Sequence, residues 1–129
     1  MTARGRCLCG AVRYEVEGPL RDVIDCHCER CRRHTGHFMA ATATAAAAVA
    51  ISGKGLRWYN PTERVQYGFC GECGSTLFWR ASDRPDTISI AAGTLDPPTG
   101  LTTTTALFTA VASDYHRLDD SIHQYDYDH

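Results

Sequence analysis

Gly68-Phe69-Cys70-Gly71-Glu72-Cys73-Gly74-Ser75-Thr76-Leu77-Phe78-Trp79 sets two thiols three positions apart between two strand-like runs. Val65 to Phe69 and Thr76 to Arg80 carry the β-branched and aromatic residues that suit a pleated, half-buried surface. Between them, Gly71 and Gly74 let the chain turn tightly, so that backbone N–H groups approach the sulfurs. This is the form of a zinc knuckle, which supplies two of the four ligands of a closed tetrahedral site. The other pair must come from elsewhere. The candidates are Cys7 and Cys9, in Cys7-Leu8-Cys9-Gly10, or two members of Cys26-His27-Cys28-Glu29-Arg30-Cys31.

Seven cysteines in three clusters divide as four plus three. If Cys7 and Cys9 complete the knuckle, Cys26, Cys28 and Cys31 remain as a compact three-sulfur set. Three protein ligands leave one position open on a metal, for water, hydroxide or an external thiolate. Three thiolates give bound zinc a net negative charge, which weakens its Lewis acidity towards water and makes a soft thiol a reasonable fourth ligand. Arg30, Arg32 and Arg33 surround the triplet, either to offset that charge and grip a substrate carboxylate or simply as a solvated basic turn. His27, His34 and His37 are nearby candidates for a ligand, a proton carrier or an ordinary polar residue. His34 is the best functional candidate of the three, because it follows the turn. The plain alternative is that the triplet holds free or redox-labile cysteines.

The rest of the composition limits the partners. With 129 residues, 43% hydrophobic and 22% charged, the sequence reads as a single globular domain over 1–129. A formal net charge of -2 and the lack of a basic stripe argue against nucleic acid and against anionic membranes. No stretch has the length of apolar residues that a membrane span needs, and Met1 to Arg6 lacks a signal-peptide core. The expectation is a cytoplasmic chain, where clustered cysteines serve as metal ligands rather than disulfides.

Alternating apolar and polar residues from Ala11 to Val16 predict a strand that stops at Gly18-Pro19, and Asp22 to Asp25 a short extended piece. Glu29 to His34 reads as one helical turn ended by Gly36. Met39 to Ile51 is ambiguous: propensity favours helix over Ala45 to Val49, whereas Thr42, Thr44, Val49 and Ile51 favour strand. Further strands are expected at Leu56 to Tyr59, Thr87 to Ala91 and Thr104 to Val111, separated by turns at Asn60-Pro61, Arg84-Pro85 and Asp96-Pro97-Pro98. Threonines 102 to 105 read as exposed strand. Many short strands with frequent turns make a mainly β domain with one or two short helical turns.

In sequence order, Cys7-x-Cys9-Gly10, Cys26-x-Cys28-x-x-Cys31-Arg32, Thr35-Gly36, Gly68 to Trp79, Ala92 to Asp96 and the terminal Leu118-Asp119-Asp120 with Gln124-Tyr125 resemble the glutathione-dependent formaldehyde-activating enzyme family, also called the GFA or CENP-V family. The resemblance implies an Mss4-like, zinc-containing β-sheet fold. It implies two zinc ions, a structural one on Cys7, Cys9, Cys70 and Cys73 and a second on Cys26, Cys28 and Cys31. It also implies a carbon–sulfur lyase type of activity on glutathione or a related thiol, forming S-hydroxymethylglutathione from formaldehyde. Arg32 and His34 are the substrate-contact candidates.

Three departures bear on specificity: Ala106 stands where relatives often have histidine, Tyr115 where they often have tryptophan, and Ala40 to Ala48 is stripped mostly to alanine. That alanine segment is a candidate contact of a homo-oligomer. Trp58, Trp79, Phe69 and Phe78 at strand spacing are core candidates before they are pocket candidates. The competing reading is a non-catalytic zinc-binding interaction module, with the acidic, aromatic tail from Asp119 to His129 as its surface.

Overall fold

Val12, Tyr14 and Val16 alternate with Arg13, Glu15 and Glu17, and strand β2 (Val12–Glu17) buries the first set and exposes the second. The structure is a computed structural model and describes residues 2–128. Met1 and His129, the ends of the N-terminal stretch and of the acidic tail, lie outside the described residues. β2 pairs antiparallel with β1 (Thr2–Arg6) on one side, and on the other with a later strand that is β5 below. Its buried face packs against the second, larger sheet.

The larger sheet begins with β3 (Val23–Cys26), followed by helix α1 (Glu29–Thr35) and β4 (Met39–Ala45). A 3-10 turn over Ala46–Ala48 leads to β5 (Val49–Gly53), which joins the small sheet. Then come β6 (Leu56–Tyr59), β7 (Val65–Cys70), β8 (Thr76–Ala81), β9 (Thr87–Ala91), β10 (Thr103–Leu107) and β11 (His123–Gln124). The eight strands lie in the order β11-β10-β3-β4-β9-β8-β7-β6. β10 runs parallel to both β3 and β11, and the other described pairings are antiparallel.

Alternate residues of this sheet feed two cores. Leu77, Phe78, Ile88 and Ile90 meet Val12, Tyr14 and Val16 of the small sheet. Trp79, Ala91, Val65 and Tyr67 meet Cys31 of α1. The large sheet is therefore covered on one face by the small sheet and on the other by the helix. Phe69 pairs with Thr76 while Gly68 pairs with Phe78, so Leu77 is an extra residue, a bulge just after the cysteine turn.

The chain is mainly β, as expected, with α1 and three short 3-10 turns. The ambiguous segment resolves both ways. Thr42 and Thr44 are buried in β4, their hydroxyls donating to the carbonyls of Arg21 and Pro19, while only Ala46–Ala48 coils. The expected strand to Val111 ends at Leu107: Phe108 adopts a left-handed backbone, φ 58°, and Thr109–Val111 forms a 3-10 turn. Of the threonine run, Thr102 and Thr103 are exposed but Thr105 is buried. The tail is tied down rather than projecting: Tyr125 N–H donates to Ala106 O, and Thr109 N–H to Tyr125 O.

β1 shows no apolar alternation, because its key residue has no side chain. Gly5 faces Tyr14, and a Cβ there would lie 2.2 Å from the Tyr14 hydroxyl and 2.6 Å from Thr94 O. The space is fixed, since Tyr14 is 1% exposed and its hydroxyl bonds Thr94 Oγ1 at 2.7 Å. Gly5→Ala is expected to cost about 1–3 kcal/mol through overpacking, read as a lower urea midpoint at unchanged slope.

Candidate metal centres

Four cysteines distant in sequence converge beside the bulge. Cys7 and Cys9 sit in the loop between β1 and β2. Cys70 ends β7, and Cys73 lies in the turn to β8. Their sulfurs all fall within 4.8 Å of one another, with Cys7 to Cys9 at 3.7 Å and Cys9 to Cys70 at 3.8 Å. Zinc–sulfur bonds of about 2.3 Å in a tetrahedron place ligand sulfurs about 3.8 Å apart. The donor set fits a closed four-thiolate zinc site.

Backbone N–H groups support these sulfurs. Val12 N donates to Cys7 Sγ at 3.3 Å and Glu72 N to Cys70 Sγ at 3.4 Å. Gly10 and Gly74 both have φ of 82°, the left-handed turn that bends each loop back on its cysteine. Ser75 joins the two loops: its Oγ lies 3.2 Å from Cys73 Sγ and accepts from Leu8 N at 3.0 Å. That serine contact holds the Cys73 thiol down, at about 5.

The second group is local. Cys26 ends β3, Cys28 caps α1 and Cys31 lies in its first turn, again with all sulfurs within 4.8 Å. Cys28 Sγ accepts the Cys31 N–H at 3.4 Å, as an N-cap side chain does. Hydrogen bonds from the Cys26 and Cys31 thiols, with Arg30 nearby, pull the Cys28 thiol down to about 2. The hydrogen bond with Cys28 pushes the Cys26 thiol up to about 11, and the hydrogen bonds with Cys26 and Cys28 also push Cys31 up.

Around the triplet, Arg33 is engaged by Glu29 at 2.9 Å, an exposed pair of small energetic weight. Arg32 is half-buried and has no ion pair among the described residues. His34 bonds Thr76 Oγ1 through Nδ1 at 3.1 Å and stacks on Tyr67 with centroids 4.4 Å apart. Burial lowers its pKa. His27 packs its ring against Phe38 and His116, and His37 packs against His116 and Tyr115. Ala106 is buried on β10, one register step from Leu107 and Cys26. Phe78 is core, Trp58 packs on that core beneath Arg80, Trp79 joins the core under α1, and Phe69 meets His34.

Sequence reasoning overlooked Tyr67, Thr76, Ser75 and His116. Ser75 adjoins the knuckle and was within reach of motif logic; the others depend on contacts between distant elements. Clefts of about 380 Å³, around Ala46, Arg64 and Arg80, and about 860 Å³, around Leu20, Leu95 and Leu101, contain none of the seven cysteines in their walls.

The glutathione-dependent formaldehyde-activating enzyme family matches residues 2–111, which span both cysteine groups. The chain belongs to that family. A crystal structure of a Rhodobacter sphaeroides protein is similar over 78% of this chain and 99% of its own, at 25% identity and a TM-score of 0.62. Membership suggests glutathione-related chemistry for this chain, and its two cysteine groups are sites that could hold metal. No helix among the described residues is long and apolar enough to cross a membrane.

Proposed function

We propose that this chain is a zinc protein that acts on glutathione or a related thiol, adding the thiol to formaldehyde or reversing that addition. The observation that carries the reading is the three-sulfur group at the start of α1, chemically complete for a metal with one open position, in a chain of this family. Cys7, Cys9, Cys70 and Cys73 hold a structural zinc; Cys26, Cys28 and Cys31 hold the second. Zinc in the second site would supply a Lewis-acidic position for a thiol sulfur or an aldehyde oxygen.

The chain's own groups bind and orient. Arg32, half-buried and outside any described ion pair, is the group that would take a substrate carboxylate. His34 has committed Nδ1 to Thr76, leaving Nε2 as the atom for a substrate contact. In the addition, the thiol S–H bond breaks, a carbon–sulfur bond forms at the aldehyde carbon, and the proton ends on the carbonyl oxygen. The product is a hydroxymethyl thioether. Since the uncatalysed addition also proceeds, the protein's part is chiefly to hold the two reactants in register.

The test is calorimetric titration of the zinc-loaded protein with glutathione, alongside formation of the adduct above the uncatalysed rate. Zinc-dependent binding with accelerated adduct formation is expected. Zinc-loaded protein that neither binds glutathione nor accelerates the reaction would overturn the reading.

A further inference from the structure

We propose that Tyr67 is a positioning residue of the second centre, its hydroxyl donating a hydrogen bond to the Cys31 sulfur and drawing charge from that single ligand. The inference rests on reading Cys26, Cys28 and Cys31 as a metal site. Spacing treats the three sulfurs alike, and the fold does not. Cys28 accepts a backbone N–H from its own helix turn, whereas Cys31 is 5% exposed and meets the Tyr67 hydroxyl at 3.1 Å.

Tyr67 is itself 1% exposed, and among the described residues the Cys31 sulfur is the hydroxyl's only hydrogen-bond partner. Burying a phenol O–H against a neutral thiol is a poor exchange for water, because the thiol is a weak acceptor. Against a thiolate the same placement becomes a strong, charge-assisted bond, with the hydroxyl as donor. The burial of Tyr67 is thus matched to an anionic Cys31, the form a metal ligand takes.

The ring is also held from outside the metal group. His34 lies nearly parallel on it, 20° between planes, and Thr76 on β8 fixes His34 through Nδ1 at 3.1 Å. Thr76 is the next residue after Ser75, which touches Cys73 of the other centre. A hydrogen bond that draws charge from one thiolate leaves the site less saturated with negative charge. The open position then binds an incoming thiol sulfur more tightly. Outer groups of this kind shift metal affinity by about 10–100-fold.

The decisive variant is Tyr67→Phe, which keeps the ring, the burial and the His34 stack and removes one O–H. Wild type and variant are loaded with Co(II), and affinity and the thiolate-to-cobalt charge-transfer band are read for each centre. Expected in the variant are second-centre affinity weaker by about 10–100-fold, a charge-transfer band at lower energy, and an unchanged four-thiolate centre. Glutathione affinity falls with it. Two cobalts per chain with the band unmoved, whether or not affinity changes, would overturn the proposal and leave Tyr67 as packing. One cobalt per wild-type chain would overturn the triplet reading together with it. Should Tyr67→Phe fail to fold, Thr76→Val frees the His34 clamp and must move the band the same way by a smaller amount. An unmoved band in Thr76→Val would then reject the proposal.

Discussion

Cys70→Ser is expected to abolish the folded state at 37 °C rather than merely weaken it. Cys70 is 0% exposed, and its sulfur lies 3.8 Å from Cys9, across a separation of 61 residues. A metal held by this group would tie the β1–β2 loop to the β7–β8 turn, and hence the small sheet to the large one. A structural zinc site contributes on the order of 10 kcal/mol of folding free energy, while a whole domain is stable by roughly 5–15 kcal/mol. Loss of one ligand removes most of that margin. Far-UV circular dichroism at 37 °C should show a largely unfolded chain, and a chelator strong enough to strip wild type should reproduce it. A variant with native dichroism and an unshifted melting temperature would show that the four thiols are not the clamp described.

The second large effect is in function and leaves the fold standing. Cys28→Ser is expected to lower zinc content by one ion per chain and glutathione affinity by at least about tenfold, given what ligand-shell losses do. The choice of serine matters. Cys28 is the N-cap of α1, its side chain accepting the Cys31 N–H, and serine is among the preferred caps. The helix keeps its start while the metal loses a soft ligand. Elemental analysis and calorimetry on the two proteins measure both effects. Unchanged zinc and unchanged glutathione affinity would sink the second site.

What could be read from the sequence follows how local each signal is. The alternation in β2 and the capped turn of α1 lie within a few residues, so pattern and structure agree there. The triplet is equally local. Which cysteines join the knuckle is a different kind of question, because spacing alone left Cys7 with Cys9 and two of the triplet as alternatives. Only the family resemblance divided them in the way the fold does.

β1 escaped notice because its buried residue is Gly5, whose contribution is the room it leaves for Tyr14. β11 has two exposed residues and joins the sheet by pairing with β10, so it carries no apolar pattern to read. In the alanine-rich segment, local propensity yielded to the partners of β4: Thr42 and Thr44 find carbonyls only when the strand lies between β3 and β9. Tyr67 gave no signal, since nothing in Val65-Gln66-Tyr67 distinguishes a core tyrosine from one resting on a cysteine of the triplet.

The two cysteine groups also differ in when a growing chain can complete them. The last sulfur of the triplet is added at Cys31, and its three donors are only two and three positions apart. The four-thiolate group must wait until Cys73 has been made, and then close a loop of some sixty residues whose entropy cost the small one never meets. At about 5–20 residues per second, the forty-two residues from Cys31 to Cys73 take seconds to emerge. During that interval the triplet is the only full ligand set on the nascent chain. If both groups take zinc, as proposed, the order of synthesis offers scarce metal to the triplet before the four-thiolate group.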